Sequence, residues 1–310
     1  MVEAVPNVSE GRRGEVIAEL ATVLGRGDSV RVLDVSSDAA HNRTVFSVAA
    51  PPTALRDALL DLFAAAIRHI DLRSHEGVHP RIGAVDVVPL IPLGSTSMTE
   101  CVSLATKLAT AVSHRFDLPV YLYEEAASDE TRRRLERIRS GGLGGLTERI
   151  AQPGWRPDFG PARLHRSAGA TVIGARGPLI AFNVNLNTPS LTVAQRIARR
   201  VRESNGGLPA VKAMGVATSS PEVMQVSMNL VDYRRTSLLR VFDAVREAAT
   251  RHQVDIRNSE IVGLAPADAL FEVAGSVLRL GDDAVDHVLE SRLDEKMSSL
   301  WCQADPAARS

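Results

Sequence analysis

The chain has 310 residues, which is enough for two domains of about 100–150 residues each. Its apolar content is 45% and its aromatic content only 4%, so we expect cores built from Ala, Val, Leu and Ile. Lys and Arg number 36 against 37 Asp and Glu, a net charge of −1, so there is no basic excess to drive binding to nucleic acid.

Other bulk features also restrict the class of protein. Cys101 and Cys302 are far apart, and neither belongs to a Cys-x-x-Cys pair, so we expect no disulfide scaffold and no zinc or other metal site. This cysteine usage is typical of the reducing cytoplasm. The N-terminus lacks a basic start followed by a hydrophobic run, so no signal peptide is predicted. No window approaches 18 uncharged apolar residues, so no membrane contact is expected.

Hydrophobic spacing predicts the order β-α-β-β-α-β through Pro92. These elements are predicted, in chain order, at 3–6, 15–26, 31–36, 41–49, 51–72 and 84–92. A helix at Met98–Phe116, a strand at Pro119–Glu124 and a charged helix at Ser128–Ser140 follow. The glycines at 141–145 are expected to break the helical pattern.

The second half repeats that order of elements. Strands are predicted at 179–186, 211–217, 223–231 and 260–263, and helices at 188–204 and 237–252. This is the order of the ferredoxin-like unit, so the predicted fold class is α+β, with two ferredoxin-like α/β subdomains and a ligand groove between them. The predicted divisions are 1–175, 176–275 and a C-terminal helical extension at 276–310.

Two segments have open interpretations. The three arginines at 132–134 indicate a basic patch or, because acidic residues flank them, a solvated helix face, which is favoured. The segment 153–169 is rich in Pro and Gly and has little periodicity. Such long loops are usually functional or disordered, so a ligand-contacting loop is favoured over a domain linker.

The stretch from Ser74 to Asp86 is the predicted centre of the chemistry. It joins a predicted helix to a predicted strand and contains two histidines, His75 and His79. Histidine titrates near neutral pH and can accept and return a proton. The alternatives are structural: His79 bonded to a carbonyl at a helix end, and Arg81 paired with Glu76 on the surface.

Seven sequence blocks resemble the glutamate formiminotransferase family, which also forms the N-terminal half of formiminotransferase-cyclodeaminase. The blocks are Val5–Gly11, Asn42–Val45, His75–Asp86, Pro119–Tyr123, Pro157–Pro161, Gly174–Arg176 and Ile180–Leu186. They occur in the family's order, with similar gaps, between Glu3 and Ala274. The chain ends soon after, so the ammonia-releasing cyclodeaminase activity is not expected.

The resemblance implies an activity and a mechanism. A formimidoyl group is transferred from N-formimidoyl-L-glutamate to N5 of tetrahydrofolate, which gives 5-formimidoyltetrahydrofolate and L-glutamate in histidine degradation. Tetrahydrofolate is a co-substrate that lies in the groove between the subdomains, no metal is required, and the protein is expected to be a homodimer. The family's catalytic histidine falls on His79, the expected general acid/base.

The resemblance also implies binding residues. The dicarboxylate substrate needs cations and polar partners, which are expected to be Arg43, Arg81, Arg176, Asn42, Asp38 and His41. The folate loop corresponds to Gly160, Pro161, Ala162, Arg163, Leu164, His165, Arg166, Ser167, Ala168 and Gly169, and is joined by Asn183 and Asn185. Backbone beside Gly160, Gly169 and Gly174 is expected to approach the flat ring.

The chain departs from the animal members at two positions. Ser36 stands where they have an aspartate, and Ala168 where they have an aromatic residue. Asp38 or His41 is a candidate to replace the former. Three alternatives remain open: a glutamate formyltransferase acting on 5-formyltetrahydrofolate, a non-catalytic folate-binding module, and a hydrolase that releases formamide without folate.

Overall fold

The structure, a computed structural model, describes residues 1–77, 80–281 and 284–287. In that part of the chain there are eight α-helices: Gly14–Leu24 (α1), Pro52–His69 (α2), Met98–Phe116 (α3), Leu135–Arg139 (α4), Gly142–Arg149 (α5), Leu191–Val201 (α6), Leu238–Arg251 (α7) and Ala267–Leu278 (α8). The strands of the same residues are Val2–Ala4 (β1), Asn7–Val8 (β2), Arg31–Asp38 (β3), Arg43–Ala50 (β4), Val85–Pro92 (β5), Val120–Glu124 (β6), Thr171–Ala175 (β7), Ile180–Asn187 (β8), Val211–Ala217 (β9), Val223–Leu230 (β10) and Ile256–Val262 (β11). The chain divides into two compact units, Met1–Gly177 and Pro178–Ser310.

The first unit contains one seven-stranded sheet in the order β3, β4, β1 with β2, β5, β7, β6. The short strands β1 and β2 both lie between β4 and β5, interrupted at Pro6, which has no N–H to donate. Pairing is antiparallel from β3 to β5 and parallel from β5 through β7 to β6. The parallel strands are almost entirely buried, as is usual for such pairings.

The helices of the first unit bury faces rich in alanine and leucine against this sheet. In α2 the buried positions include Leu55, Leu59 and Leu62, at helical spacing. Helix α3 begins with a complete capping box, because Ser97 accepts from the Glu100 N–H and Glu100 accepts from the Ser97 N–H. Sequence analysis predicted both helices, and the bounds of α3 agree with the prediction.

The second unit contains a four-stranded, fully antiparallel sheet in the order β11, β8, β10, β9. One face packs on α6 and α7, with Phe182, Val184 and Leu186 in its core. Helix α6 is capped by Ser190, whose Oγ accepts from the Val193 N–H, and α7 by Ser237 in the same way. The expected mixed α/β composition with two sheets is confirmed, while the ferredoxin-like assignment and the groove stay predictions.

Some predicted elements differ from the observed ones. The charged helix at 128–140 is a 3-10 turn at Glu130–Arg132 followed by the short α4. The predicted break in the helical pattern occurs at Ser140 and Gly141, where α4 has ended and Gly141 has φ +75°, but a new helix, α5, then begins at Gly142. Strand β7 was not predicted. The predicted extension at 276–310 lies mostly outside the described residues, although α8 reaches Leu278. Within the described ranges, no helix combines the length and apolar content that crossing a bilayer requires.

Candidate functional site

Three loops of the first unit are held together by Asn42. Its Oδ1 accepts from the Gly11 N–H at 2.9 Å, and its Nδ2 donates to the Glu76 carbonyl at 2.8 Å. Asn42 is 8% exposed and has φ +50°, a left-handed conformation that asparagine tolerates. Its carboxamide therefore fixes the loop before α1 and the loop after α2 onto the turn at 38–43.

The segment between α2 and β5, the motif loop, is stabilised by the side chain of one of its own residues. Arg81 donates Nη1 to the Gly77 carbonyl at 3.1 Å and Nη2 to the His75 carbonyl. His75 lies 3.0 Å through Nε2 from the Asn42 carbonyl, which can only accept, so Nε2 carries the proton. Burial lowers the pKa of His75, the Arg81 charge adds to the shift, and the Asn42 carbonyl opposes it, so the neutral imidazole is favoured. In these two contacts Arg81 therefore binds backbone carbonyls and not the Glu76 carboxylate, which was the structural alternative.

Arg43 is a half-buried cation beside this loop. Its Nη2 donates to Asn7 Oδ1, while its buried Nε has no hydrogen-bond partner in the described part of the chain. Burial lowers the pKa of Arg43 to about 10, Arg139 adds to the shift, and Asp86 and Asp38 oppose it. The guanidinium thus stays charged at neutral pH.

Asp86 fixes the backbone of the residues that lead into β5. Its Oδ1 accepts from the N–H groups of Ile82 at 2.7 Å and Gly83 at 3.2 Å, and its Oδ2 accepts from Arg139 of α4. Asp86 is 3% exposed. The end of the motif is therefore tied by a buried ion pair to a helix more than 50 positions later in the chain.

The predicted folate loop packs directly beside this segment. The turn from His165 to Gly169 is closed by backbone bonds in both directions, and His165 Nδ1 accepts from the Ala168 N–H at 3.0 Å. The Ala168 carbonyl accepts from Ala84 N–H at 2.9 Å, and the Ala170 N–H donates to the Ile82 carbonyl at 2.8 Å. Two segments that sequence analysis assigned to one site thus lie side by side in one unit.

The three glycines singled out near the loop are required by the fold itself. A Cβ on Gly169 would lie 2.2 Å from the Ile82 carbonyl oxygen, one on Gly160 2.6 Å from that of Leu118, and one on Gly174 2.3 Å from that of Tyr123. Gly169 and Gly160 also have positive φ, +70° and +84°. Close approach of the chain to itself accounts for glycine at these positions, and approach of their backbone to a ring stays a prediction.

The rest of the loop forms part of the first unit. Phe159 bridges to Val120, and Asp158 accepts from the Leu122 N–H at 2.7 Å, so the segment 153–169 is not a linker between units. Arg132 pairs with Asp158 and is 7% exposed, so the predicted solvated helix face is wrong for this arginine. The remaining loop positions differ in exposure: Ala168 is buried, Pro161, Leu164 and Ser167 are half-buried, and Ala162, Arg163 and Arg166 are exposed.

Asp38 and His41 stabilise the turn that carries Asn42. Asp38 Oδ1 accepts from the His41 N–H at 2.8 Å, and Oδ2 accepts from the His41 ring at 2.7 Å. The backbone bond to His41 lowers the pKa of Asp38, and the His41 ring adds to the shift against the opposing effect of burial. Ser36, in β3, is exposed.

Arg176 lies at the other end of the sheet. Its N–H donates to the Leu90 carbonyl, five positions along β5 from Val85, which is roughly 17 Å at the rise of a strand. Its Nη1 donates to the Gly177 carbonyl at 2.8 Å. The backbone of Arg176 is thus apart from the cluster around Asn42, Arg43 and Arg81.

In the second unit, Asn183 and Asn185 belong to a polar network on one sheet face. Asn183 Nδ2 donates to Glu260 at 3.1 Å, and Asn185 Nδ2 donates to Asn258 at 3.1 Å. Gln225 Nε2 bonds both Asn185 at 2.9 Å and Glu260 at 3.1 Å. Both predicted asparagines therefore lie on one face, joined by residues that sequence analysis did not select.

Sequence reasoning missed several structuring residues. Glu10 accepts from the N–H groups of Arg12 and Arg13 and from the Arg13 side chain. Glu10 and Asp86 occur within the seven blocks that resemble the family, so the resemblance could have identified them. Arg139 and Glu260 lie outside every block. His79, the expected catalytic residue, lies outside the described residues, so its role stays a prediction.

Models of known protein families match both units. The model of the formiminotransferase domain, N-terminal subdomain, matches residues 1–176, and that of the formiminotransferase domain matches residues 181–287. Both matched models describe a formiminotransferase domain, so the protein is a transferase enzyme. The chain belongs to the formiminotransferase family.

Named relatives align over almost the whole chain. It is 39% identical to the glutamate formimidoyltransferase of Streptococcus pyogenes serotype M1, over 94% of this chain and 98% of that protein. It is 40% identical to the glutamate formimidoyltransferase of Thermoplasma acidophilum, over 95% and 98%. The formimidoyltransferase-cyclodeaminase of Rattus norvegicus is 39% identical over 88% of this chain but 52% of its own length.

Proposed function

We propose that this protein transfers a formimidoyl group from N-formimidoyl-L-glutamate to N5 of tetrahydrofolate, giving 5-formimidoyltetrahydrofolate and L-glutamate. The observation that carries the proposal is the near-complete alignment with two proteins named glutamate formimidoyltransferase. The pairing of the motif segment with the predicted folate loop supports it, because the transfer needs both substrates close together.

His79 is the proposed general acid/base. As N5 attacks the formimidoyl carbon, a bond forms between them and the N5 proton must leave. The bond from that carbon to the glutamate nitrogen then breaks, and the departing amine must gain a proton. A single histidine within hydrogen-bond reach can accept the first proton and supply the second, with no covalent protein intermediate.

Arg43 is the proposed principal anchor for the substrate carboxylates. It is charged and half-buried, and it follows directly on Asn42, which joins the three loops. A guanidinium in this state gives strong charge-assisted bonds to a carboxylate. Arg81, Asn42, Asp38 and His41 contribute by holding the loops around it, and Arg176 would bind a group at the far end of β5.

Folate is proposed to contact the loop from Gly160 to Gly169 together with Asn183 and Asn185. The exposed Arg163 and Arg166 have the charge needed by the carboxylates of a folate tail. A ferredoxin-like fold for each unit, with a groove between them, is part of the proposal. The strand order β11, β8, β10, β9 supports it in the second unit, and the order β3, β4, β1 with β2, β5 supports it in the first.

The cellular setting follows from the same proposal. The reaction would serve histidine degradation and one-carbon metabolism in the cytoplasm, with tetrahydrofolate as co-substrate and no metal. A homodimer is proposed as the working form, which sedimentation of the purified protein would test.

A two-part assay tests the function. Purified protein with formimidoylglutamate and tetrahydrofolate should yield a folate that carries the amidine, detected by mass spectrometry, and free glutamate. His79→Ala should lower the rate by about 10²–10⁴ while tetrahydrofolate still binds.

The other outcomes separate the alternatives. Turnover only with 5-formyltetrahydrofolate and glutamate would indicate the formyltransferase. Release of formamide in folate-free buffer would indicate the hydrolase. Folate binding with no turnover of any of these substrates would indicate a binding module, and each of these results contradicts the proposal.

A further inference from the structure

The polar sheet face of the second unit includes one carboxylate, that of Glu260 on the edge strand β11. Along β8, Phe182, Val184 and Leu186 point to the helix-covered core, so Asn183 and Asn185 point to the opposite face. Strand register places Asn183 opposite Glu260 of β11. The polar face therefore spans three adjacent strands, β11, β8 and β10.

The carboxylate fixes the orientation of every amide beside it. A carboxylate can only accept, so Asn183 Nδ2 and Gln225 Nε2 must both point at Glu260 Oε1, at 3.1 Å each. Gln225 Nε2 also reaches Asn185 Oδ1, which turns Asn185 Nδ2 toward Asn258. The network has one consistent arrangement of donors and acceptors.

That arrangement uses the amide nitrogens of the network and leaves three of its acceptor oxygens without a described donor. The amide nitrogens of Asn183, Asn185 and Gln225 are engaged within the network. By contrast, Glu260 Oε2, Asn183 Oδ1 and Gln225 Oε1 have no hydrogen-bond donor among residues 1–77, 80–281 and 284–287. Glu260 is exposed, Gln225 is half-buried and Asn183 is buried, so the row joins one exposed carboxylate to two less accessible amide oxygens. A carboxylate beside amide acceptors is complementary to a ligand edge that carries adjacent N–H donors.

We propose that Glu260 recognises the pyrimidine edge of the pterin ring, an inference that rests on the proposed function. In its oxo form this edge presents the 2-amino group and N3–H side by side. Glu260 Oε2 accepts from one of these donors, and a carboxamide oxygen next to it accepts from the other. Glu260 is thus a specificity-determining residue for the 2-amino-4-oxo ring, outside the folate loop.

The size of the network favours the pterin over the other substrate. The formimidoyl group is also a planar N–C–N unit with donors, but it spans only three atoms. The network covers three strands, about 10 Å at the usual strand spacing, which suits a fused two-ring system. The carboxamides around Glu260 also suit a neutral ring better than an isolated cation.

The experiment measures affinity by calorimetry for tetrahydrofolate and for its 2-desamino-2-methyl analogue. The wild-type protein should bind the analogue about 10–100-fold more weakly, as expected for loss of a hydrogen bond to a charged group. Glu260→Gln should weaken tetrahydrofolate binding by a similar factor and reduce the discrimination between the two ligands to a few-fold. Glu222→Gln, an exposed glutamate before β10, is the matched control and should change neither affinity.

The results that would contradict a role of Glu260 differ from those that would contradict the proposed function. Equal wild-type affinity for both ligands overturns it without any variant, so a folding defect in Glu260→Gln cannot mask the answer. Unchanged tetrahydrofolate affinity in a folded Glu260→Gln also overturns it, as does a loss confined to formimidoylglutamate. In those cases the proposed function stands, whereas a wild-type protein that does not bind tetrahydrofolate refutes both.

Discussion

Asp86 and Asp117 each pair with an arginine, but in different surroundings. Asp86 is 3% exposed and also accepts from two backbone N–H groups, whereas the Asp117–Arg163 pair is more than 60% exposed on both sides. A buried charge left without its partner costs far more than an exposed one. Stability should therefore depend on the first pair and hardly on the second.

Asp86→Asn should lower the free energy of unfolding by about 3 kcal/mol, because Arg139 loses its anionic partner. Asp117→Asn should change it by less than about 0.5 kcal/mol. Urea denaturation of both variants measures the difference. Equal effects would show that the Asp86–Arg139 pair does not hold the entry to β5.

Glu10 should make stability depend on pH. Burial would raise the pKa of Glu10, but bonds from the backbone N–H groups of Arg13 and Arg12 and from the Arg13 guanidinium lower it overall. A carboxyl with a lowered folded pKa stabilises the fold above its unfolded pKa near 4.5. This stability is lost as pH falls through the folded value, because the unfolded state binds the proton more readily.

Glu10→Gln should cost about 1–3 kcal/mol near neutral pH, and the difference from wild type should shrink in acid. Chemical denaturation at a series of pH values from neutral downward gives the comparison. Glu15→Gln, an exposed residue in the first turn of α1, should leave the pH profile unchanged. A constant gap between Glu10→Gln and wild type at all pH values would contradict the prediction.

At the scale of elements, the turn at 165–169 packs against the residues that lead into β5, and there is no room for a side chain at Gly169. Gly169 has φ +70° and would place a Cβ 2.2 Å from the Ile82 carbonyl oxygen. Gly206 has a similar φ of +77° but open space around it. Substitution of Gly206 therefore tests only the cost of the left-handed backbone conformation, whereas substitution of Gly169 adds the cost of steric crowding.

Gly206→Ala should lower the free energy of unfolding by roughly 1–2 kcal/mol, the cost of the left-handed conformation. Gly169→Ala should lower it by more than about 3 kcal/mol, because backbone must also move. Thermal and urea unfolding of the pair measures both. Similar losses in the two variants would mean that the turn at 165–169 can shift away from Ile82 at little cost.

The elements that the sequence predicted well are those with a long hydrophobic period. The bounds of α3 agree with the prediction because apolar spacing and the Ser97 cap coincide there. Helix α5 was missed because Gly142, Gly144 and Gly145 have low helix propensity, and tertiary packing of Leu146 overrides it. Strand β7 is a short buried parallel strand, whose apolar run has no period to distinguish it.

The site was predictable where residues close in sequence act together. The loops around Asn42 and His75 belong to blocks that the family resemblance identified. Partners such as Arg139 and Glu260 were not predictable, since strand pairing and helix packing bring them in from distant parts of the chain. Local sequence therefore located the loops, and the tertiary fold supplied the groups that position them.

At the scale of the whole molecule, each hydrophobic cluster belongs to one unit. Two clusters that include Leu59 and Tyr121 lie in residues 1–177, and a third that includes Val226 lies after residue 178. A unit with its own core and complete sheet should fold alone. We therefore expect the fragment Met1–Gly177 to be stable without the second unit.

This fragment should unfold in one cooperative urea transition and retain dispersed methyl signals in an NMR spectrum. Leu59→Ala in the fragment should lower its stability by about 2–5 kcal/mol, as in a packed core. A fragment with near-native helix content but no cooperative transition would show that the first unit needs the second.

The pairing of Ala84 with Ala168 has a consequence for biosynthesis. The motif loop leaves the ribosome many residues before the turn that flanks it, and β5 gains its parallel neighbour only when β7 has been made. At about 5–20 residues per second, the nascent chain would wait several seconds in this state. During that interval the edge of β5 that later pairs with β7 is open, so the newly made chain is exposed there to misassembly and to chaperone capture until β7 has been made.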